Sequence, residues 1–284
     1  CFFAVKWYKT PNMKNILLLG LFLGLSMAVK VSGGLVSLAI ALLFAARLFD
    51  KAQNKKHLLL QFLSFGLVCA PLGLWWQVRN YIRFDIPFTY VPCLMDKIPQ
   101  YVGDYSLFRR LFDVSSLWKK GVYPAMGDLN GSEFYEYNIF IGGLKSALFG
   151  EDYIKENTFN FVLSALLLIS ALLLIFITIL SVSKIFIKSV KNREKDLILN
   201  IFPGISTVIL IILYIIFCFK YPHFCSMDFR YIAVISVFSA LYVGLLWDKE
   251  KNNNKMFGFI IKYSIPIITL LFCISSGLLY FCIG

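Results

Sequence analysis

The stretch FNFVLSALLLISALLLIFITILSV, from Phe159 to Val182, decides the fold class of this chain, because it contains no charged residue. An α-helix rises about 1.5 Å per residue, so about 20 apolar residues are enough to cross a hydrocarbon core of about 30 Å. Lipid offers no hydrogen-bond partner to an exposed backbone, so a run of this length crosses the membrane as a helix. The sequence therefore predicts an integral membrane protein.

The rest of the chain extends this pattern. Of its 284 residues, 59% are hydrophobic, and the mean hydropathy is +0.73. A soluble domain contains about 45–50% apolar residues, so much of this surface must face lipid. Residues 1–78 are predicted to form an N-terminal membrane part, residues 79–158 one long loop region and residues 159–284 a C-terminal membrane part. We predict an all-α, multi-pass helical bundle with about seven spans, at about 15–29, 33–47, 58–78, 159–182, 197–219, 229–247 and 256–282.

The first two predicted spans are short helices separated by a break. Lys30 is the only charged residue between Asn15 and Ala46, and one uninterrupted helix of that length would be much longer than the hydrocarbon core is thick. Paired glycines weaken a helix, and a lysine prefers the membrane interface. Lys30 and the nearby pair Gly33 and Gly34 therefore predict a tight turn between two short helices.

The positions of lysine and arginine predict the side of the membrane on which each connection lies. Basic residues are concentrated at Lys51–Lys56, Lys184–Lys195 and Lys249–Lys255, and short basic loops stay in the cytoplasm. Residues 79–158 then lie outside the cytoplasm. Because this region is rich in aromatic residues, we expect short amphipathic helices and turns on the membrane surface, with a turn at Gly127–Gly131.

Several functional classes find no support in the sequence. The net charge of +12 does not indicate nucleic-acid binding, because the basic residues lie in short segments between apolar runs. Several of the seven cysteines lie inside apolar runs and none belongs to a CxxC pair, so we interpret them as buried thiols. The sequence has no P-loop and no GxGxxG, HExxH or GxSxG motif. We expect neither a metal nor a cofactor.

Four basic residues are expected at the outer membrane boundary, where short loops normally avoid lysine and arginine. They are Lys30, Arg79, His223 and Arg230. Together they would suit a phosphate, since the arginine fork matches phosphate oxygens and lysine adds a point charge. Each also has a simpler interpretation: Lys30 as a turn anchor, Arg79 as a headgroup contact in an aromatic belt of Trp75, Trp76 and Tyr81, His223 as a local hydrogen-bonding group, and Arg230 as the partner of Asp228.

The loop region also contains carboxylates that could act as a general base. Nothing in their spacing selects one, and we interpret most of them as solvated loop charges. These residues are Asp85, Asp96, Asp104, Asp113, Asp128, Glu133, Glu136, Glu151 and Asp152.

Three segments carry a resemblance to a known family. The first is PLGLWWQVRNY, from Pro71 to Tyr81, followed by Phe84, Pro87 and Tyr90. The second comprises Gly20, Gly24 and the break at Lys30, Ser32 and Gly33, and the third is HFCSMDFRY, from His223 to Tyr231. In these segments the chain resembles bacterial multispanning glycosyltransferases of the GT-C superfamily, similar to protein O-mannosyltransferases and the aminoarabinose transferases of lipid A.

The resemblance implies an enzyme of the bacterial plasma membrane that moves a sugar from a polyprenyl-phosphate donor to an acceptor outside the cytoplasm. It implies phosphate contacts for the four basic residues and a pocket near Asn80, Tyr81, Asp228 and Tyr231. The family's catalytic carboxylate lies in the first outer loop, which would precede Cys1. Cys1 to Val5 also look like the end of a helix already begun. We therefore expect the catalytic residue in an N-terminal part upstream of Cys1.

Two other functions fit the pattern of spans. One is a transporter or flippase of lipid-linked saccharides, although transporters often contain repeated halves and no internal repeat is visible here. The other is a noncatalytic membrane subunit whose loop region binds a partner. The residues upstream of Cys1 would separate these functions, because an acidic pair just after a first span favours the enzyme.

Overall fold

The computed structural model of the protein describes residues 2–50, 54–88, 100–115, 117, 136–150, 154, 157–191, 197–253 and 255–283. Within these residues the chain is helical, with a single antiparallel bridge between Tyr101 and His223. Short 3-10 helices cover Val31–Leu35, Phe224–Met227 and Phe229–Tyr231. The α-helices are α1 (Phe2–Lys9), α2 (Met13–Val29), α3 (Val36–Leu48), α4 (Lys55–Phe84), α5 (Leu107–Phe112), α6 (Ile139–Phe149), α7 (Thr158–Lys191), α8 (Leu197–Lys220), α9 (Val234–Glu250) and α10 (Met256–Ile283).

Among the residues that the structure describes, four helices are long and apolar enough to cross a membrane: α4, α7, α8 and α10. The prediction of an all-α membrane protein is therefore confirmed. Helices also occupy the other three predicted span positions, but α2, α3 and α9 have only 17, 13 and 17 residues. At about 1.5 Å per residue such helices cover at most about 26 Å, so the count of seven spans is not supported.

The chain divides into two compact units, the first containing Cys1–Pro92 and Arg193–Leu210 and the second containing Cys93–Asn192 and Ile211–Gly284. In the first unit, α2 ends at Val29 and a 3-10 helix leads into α3. The predicted break between two short helices is therefore confirmed.

The helices α2 and α4 of the first unit pack through glycines. A Cβ atom added to Gly24 would lie 2.9 Å from Leu72 Cβ and 3.0 Å from the Cys69 carbonyl oxygen. A Cβ atom added to Gly20 would lie 3.0 Å from the Phe65 carbonyl oxygen. Small residues four apart allow membrane helices to approach this closely. The GxxxG spacing of Gly20 and Gly24 is thus the basis of this contact.

The first helix, α1, lies outside the predicted spans. Its Trp7 indole N–H donates a hydrogen bond of 2.6 Å to Gln61 Oε1 of α4, and both side chains are buried. The Trp7 ring also packs on Phe44 of α3, with ring centres 4.2 Å apart. A buried polar group needs such a partner, so this hydrogen bond fixes α1 against α4.

In the second unit, α7, α9 and α10 share a buried apolar cluster of Ile177, Leu246, Ile261 and Ile265. The Ser181 hydroxyl of α7 donates to a backbone carbonyl oxygen of α9. These contacts hold the three helices together over the part of α7 that precedes its lysine-rich end.

The contact between α9 and α10 includes a hydrogen bond at a proline. Pro266 lies inside α10 and has no N–H to donate to the carbonyl of Lys262, four residues earlier. The Trp247 indole N–H of α9 donates to this carbonyl oxygen at 3.2 Å. A side chain of one helix thus supplies the donor that the other helix lacks.

The predicted loop region 79–158 contains two described helices, α5 and α6. Most residues of α6 are buried, so the expected amphipathic character does not hold for this helix. A Cβ atom at Gly142 would lie 3.2 Å from Met227 Cβ, and one at Gly143 would lie 3.0 Å from the Tyr214 hydroxyl oxygen. The helix α6 therefore packs closely on α8 and on the segment that follows α8. The predicted turn at Gly127–Gly131 lies outside the described residues.

Candidate functional site

The first group of predicted site residues lies near the end of α4. The guanidinium carbon of Arg79 is 4.7 Å from the Trp76 ring centre and 5.7 Å from the Phe84 ring centre. Its Nη1 donates to Asn80 Oδ1 at 3.1 Å, and the Tyr81 side chain is half exposed. These aromatic contacts agree with the simpler interpretation of Arg79 as part of an aromatic belt.

The helix α4 ends at Asp85 in a left-handed backbone conformation, with φ 55° and ψ 28°. The Asp85 N–H donates to the Tyr81 carbonyl oxygen at 3.0 Å, which closes the last turn. Aspartate adopts this conformation more readily than most residues with a Cβ atom. Asp85 and Asp104 are both exposed, as expected for solvated loop carboxylates.

Lys30 occupies the turn between α2 and the following 3-10 helix. Its backbone is extended, its N–H donates to the Ser26 carbonyl oxygen at 3.0 Å, and its carbonyl accepts from the Gly33 N–H at 2.8 Å. A Cβ atom at Gly33 would lie 3.0 Å from the same Ser26 oxygen. This tight geometry agrees with the interpretation of Lys30 as a turn anchor.

The second group of predicted site residues lies in Tyr221–Tyr231, which we call the α8–α9 turn. The Phe224 N–H donates to the Gln100 carbonyl oxygen at 2.8 Å, so the predicted loop region pairs with this turn. His223 is only 5% exposed, and its ring centre lies 5.6 Å from that of Tyr101. Its buried Nε2 has no hydrogen-bond partner among the described residues. His223 is therefore a buried residue of the turn rather than a surface contact.

Arg230 and Asp228 form an ion pair within the same turn. The distance between Arg230 Nε and Asp228 Oδ2 is 3.0 Å, and Asp228 Oδ1 accepts the Arg230 backbone N–H at 2.8 Å. The Tyr231 ring packs on Phe217, with ring centres 4.9 Å apart. The Asp228 side chain is 15% exposed and that of Arg230 is 53% exposed. The pair agrees with the simpler interpretation of Arg230, and about half of the Arg230 side chain remains exposed.

The predicted site residues thus form two groups that belong to different compact units. Apart from Lys30, the members of each group are close neighbours in the sequence, and Lys30 is placed with the first group because it belongs to the same compact unit. The first group is Lys30, Arg79, Asn80 and Tyr81, and the second is His223, Asp228, Arg230 and Tyr231. A single phosphate site that contains all four basic residues stays a prediction.

The structure also contains a buried polar layer that the sequence analysis did not single out, formed by Arg110, Glu136, Asn138 and Lys145 together with the half-buried Asp113. Arg110 of α5 is 2% exposed, and its Nη2 donates to the Cys218 carbonyl oxygen at 3.0 Å. That carbonyl belongs to the last turn of α8, where the helix dipole favours a cation. Burial holds the pKa of Arg110 below its usual value.

Glu136 and Lys145 form the charged pair of this layer. Lys145 Nζ lies 3.6 Å from Glu136 Oε2, and the two side chains are 5% and 1% exposed. Glu136 Oε1 also accepts the backbone N–H of Tyr137 at 3.1 Å and of Asn138 at 2.9 Å. Burial lowers the pKa of Lys145, and the charge of Glu136 opposes this shift. Glu136 is therefore an exception to the interpretation of the loop carboxylates as solvated.

The remaining contacts of the polar layer join the end of α5 to the start of α6. Asn138 caps α6, and its Nδ2 donates to the Asp113 carbonyl oxygen at 3.1 Å. The Tyr137 hydroxyl donates to Asp113 Oδ2 at 2.6 Å. Burial and this hydrogen bond raise the pKa of Tyr137. Most of these side chains bond to backbone atoms of neighbouring segments, which is typical of a structural network.

Comparisons of the chain with known protein families, with curated proteins and with solved structures find no match. What the site can bind therefore follows from its own side chains. The described residues contain no group of three or more His, Cys, Asp or Glu side chains that could hold a metal ion. The exposed guanidinium of Arg230 can bind an anion, whereas Glu136 and Lys145 are too buried to contact a substrate in this conformation.

Proposed function

We propose that this protein is a membrane glycosyltransferase that moves a sugar from a polyprenyl-phosphate donor to an acceptor outside the cytoplasm. The observation that supports it is the α8–α9 turn. A helix of membrane-spanning length ends at Lys220, and the turn that follows holds Arg230 half exposed beside Asp228. The resemblance of this turn and of Pro71–Tyr81 to GT-C transferases supports the reaction class.

The position of each arginine, taken by itself, suits a lipid-linked phosphate. Such a phosphate stays at the depth of the lipid headgroups, so its protein partners must lie where membrane helices end. Arg230 follows the end of α8 by a short turn, and Arg79 lies in the last two turns of α4. A guanidinium can contact two phosphate oxygens at once and stabilises the charge that develops when the phosphate leaves. Asp228 orients Arg230 for this role.

Glycosyl transfer also requires a base for the acceptor hydroxyl. Glu136 pairs with Lys145 in the polar layer and Asp113 bonds to Tyr137, so neither is proposed. The catalytic carboxylate that the resemblance implies stays a prediction. The exposed carboxylates Asp85 and Asp104 are the alternatives within this sequence.

Arginine variants of the protein test the proposal. Arg230→Ala and Arg79→Ala should each lower kcat/KM for transfer from a radiolabelled polyprenyl-phosphate sugar by about tenfold or more, because a hydrogen bond to a charged group is lost. Arg230→Lys should restore little activity, since lysine cannot make a bidentate contact. Arg109→Ala is the matched control, because it removes an exposed arginine of α5 outside the predicted site.

The outcomes separate the proposed enzyme from the other functions. Unchanged transfer by both alanine variants would leave Arg79 and Arg230 as structural residues and remove the support for the phosphate site. Movement of a labelled lipid-linked saccharide from one leaflet of a vesicle membrane to the other, without glycosyl transfer, would identify a transporter. The absence of both glycosyl transfer and saccharide movement would favour a noncatalytic subunit.

The proposed reaction places residues 79–158 outside the cytoplasm. In a variant without native cysteines, a single cysteine at position 104 should react with a membrane-impermeant maleimide in intact cells. A single cysteine at position 188 should react only after the cells are opened, because the lysine-rich end of α7 is predicted to be cytoplasmic. The reverse labelling pattern would contradict this topology.

A further inference from the structure

A basic cleft lies between the end of α7 and the end of α9, far along the chain from the residues of the proposed site. Lys184 and Lys188 of α7 and Lys249 of α9 line it, and its volume is about 490 Å³. The uncharged run of α7 ends at Val182. We therefore expect Lys184 near the edge of the hydrocarbon core and Lys188 about 6 Å farther along the helix. At this position the cleft is expected at the depth of the lipid headgroups.

The charges that line the cleft favour an anion. Among the lining residues that the structure describes, Glu250 is the one acidic residue, and its Oε1 lies 3.5 Å from Lys184 Nζ. Asn253 Nδ2 donates to Glu250 Oε2 at 2.6 Å, and this hydrogen bond together with the charges of Lys184 and Lys249 holds the pKa of Glu250 below its usual value. Glu250 is thus ionised and offsets one lysine. Three positive charges and one negative charge give the described lining residues a net charge of +2.

The rest of the lining combines apolar surface with an amide. Ile185 and Leu246 are the apolar residues of the cleft, and both side chains belong to the buried core. Asn252 is exposed and adds a polar side chain at the rim. The Lys184 ammonium lies 3.3 Å from the ring centre of Phe257, which fixes this side chain over α10. Because the cleft is expected at the depth of the headgroups, this lining suits the phosphate of a lipid.

We propose that this cleft binds the phosphate of an anionic membrane phospholipid. Lysines act as point charges for phosphate, and basic pockets between membrane helices on the cytoplasmic side are suited to anionic headgroups. Lys188 and Lys249 contact the phosphate, while Lys184 stays with Glu250. The bound lipid joins the ends of α7 and α9.

Lipid binding to charge-matched variants tests this site. The protein is purified in neutral detergent and titrated with phosphatidylglycerol or with phosphatidylcholine, and bound lipid is counted by native mass spectrometry. Lys188→Gln/Lys249→Gln should weaken phosphatidylglycerol binding by about tenfold. Lys191→Gln/Lys255→Gln removes the same charge nearby without touching the lining, and its binding should stay close to that of the unchanged protein.

Four outcomes of these experiments would overturn the proposal. Equal weakening by both double variants would mean general surface attraction, and equal binding of the two lipids would mean no headgroup selection. If inorganic phosphate at millimolar concentration displaces phosphatidylglycerol, the ligand is a free anion rather than a lipid. Lys188→Arg/Lys249→Arg keeps the charge and should retain binding, so a loss in the glutamine variant together with a loss here would indicate a folding defect and not a phosphate site.

Discussion

The α2–α4 contact of the first unit and the buried polar layer of the second unit use opposite means to bring helices together. At Gly20 and Gly24 the backbones approach because side chains are absent. At Glu136 and Lys145 two charges are buried and stabilise each other at 3.6 Å. The first contact depends on shape and tolerates no added volume. The second depends on keeping both charges, because a single buried charge is much more costly than a pair.

Removing one charge of the pair should have the largest effect. Lys145→Met leaves Glu136 buried without its partner and should lower the free energy of unfolding by about 3–5 kcal/mol. Glu136→Gln/Lys145→Met removes both charges and should recover most of this loss. Denaturation in mixed micelles with increasing SDS measures both variants. Losses that simply add in the double variant would contradict a paired interaction.

Adding one methyl group to the glycine contact should have an intermediate effect. Gly24→Ala places a Cβ atom 2.9 Å from Leu72 Cβ and should lower the free energy of unfolding by about 1–3 kcal/mol. Gly66→Ala in α4 is the control, because a Cβ atom there would meet no atom of the described residues within 4 Å. This variant should be neutral or more stable by up to about 1 kcal/mol. The same SDS titration should rank the two variants in this order, and equal stabilities would mean that α2 and α4 can separate freely.

The sequence predicts the structure of some of these regions better than that of others, and the reason is physical. Long apolar runs and the Lys30 break depend on neighbouring residues, so the helix positions and the turn are predicted correctly. The same holds for Asp228 and Arg230, which are two residues apart. Glu136 and Lys145 belong to different turns, and their burial depends on packing against α8, which the sequence does not display. Lys145 was nevertheless visible as the one charged residue of the apolar segment Ile139–Phe149.

The hydroxyl of Tyr137 should have the smallest effect. Tyr137→Phe removes the hydrogen bond to Asp113 and should lower the free energy of unfolding by about 1 kcal/mol. Folding raises the pKa of Tyr137, so its hydroxyl contributes fully to the free energy of unfolding below about pH 10. This contribution is lost as the pH rises through the higher pKa of the folded state. The phenylalanine variant should therefore lose less stability than the unchanged protein between neutral and strongly alkaline pH.

A matched variant isolates the hydroxyl from the ring. Tyr105 stacks on Tyr137 with ring centres 4.2 Å apart. Tyr105→Phe keeps this stacking and should leave the alkaline loss of stability unchanged. The same alkaline behaviour in Tyr137→Phe and Tyr105→Phe would mean that Asp113 does not hold the Tyr137 proton.

Pro266 has a consequence for how α9 and α10 are aligned. Two smooth apolar helices can slide past each other with little change in their contacts, since every backbone carbonyl is already bonded within its own helix. The proline exposes one carbonyl at Lys262, and the Trp247 indole reaches it at 3.2 Å. A displacement by one residue, about 1.5 Å along the axis, would separate this donor from its acceptor. A residue that weakens one helix therefore selects a single register for the pair.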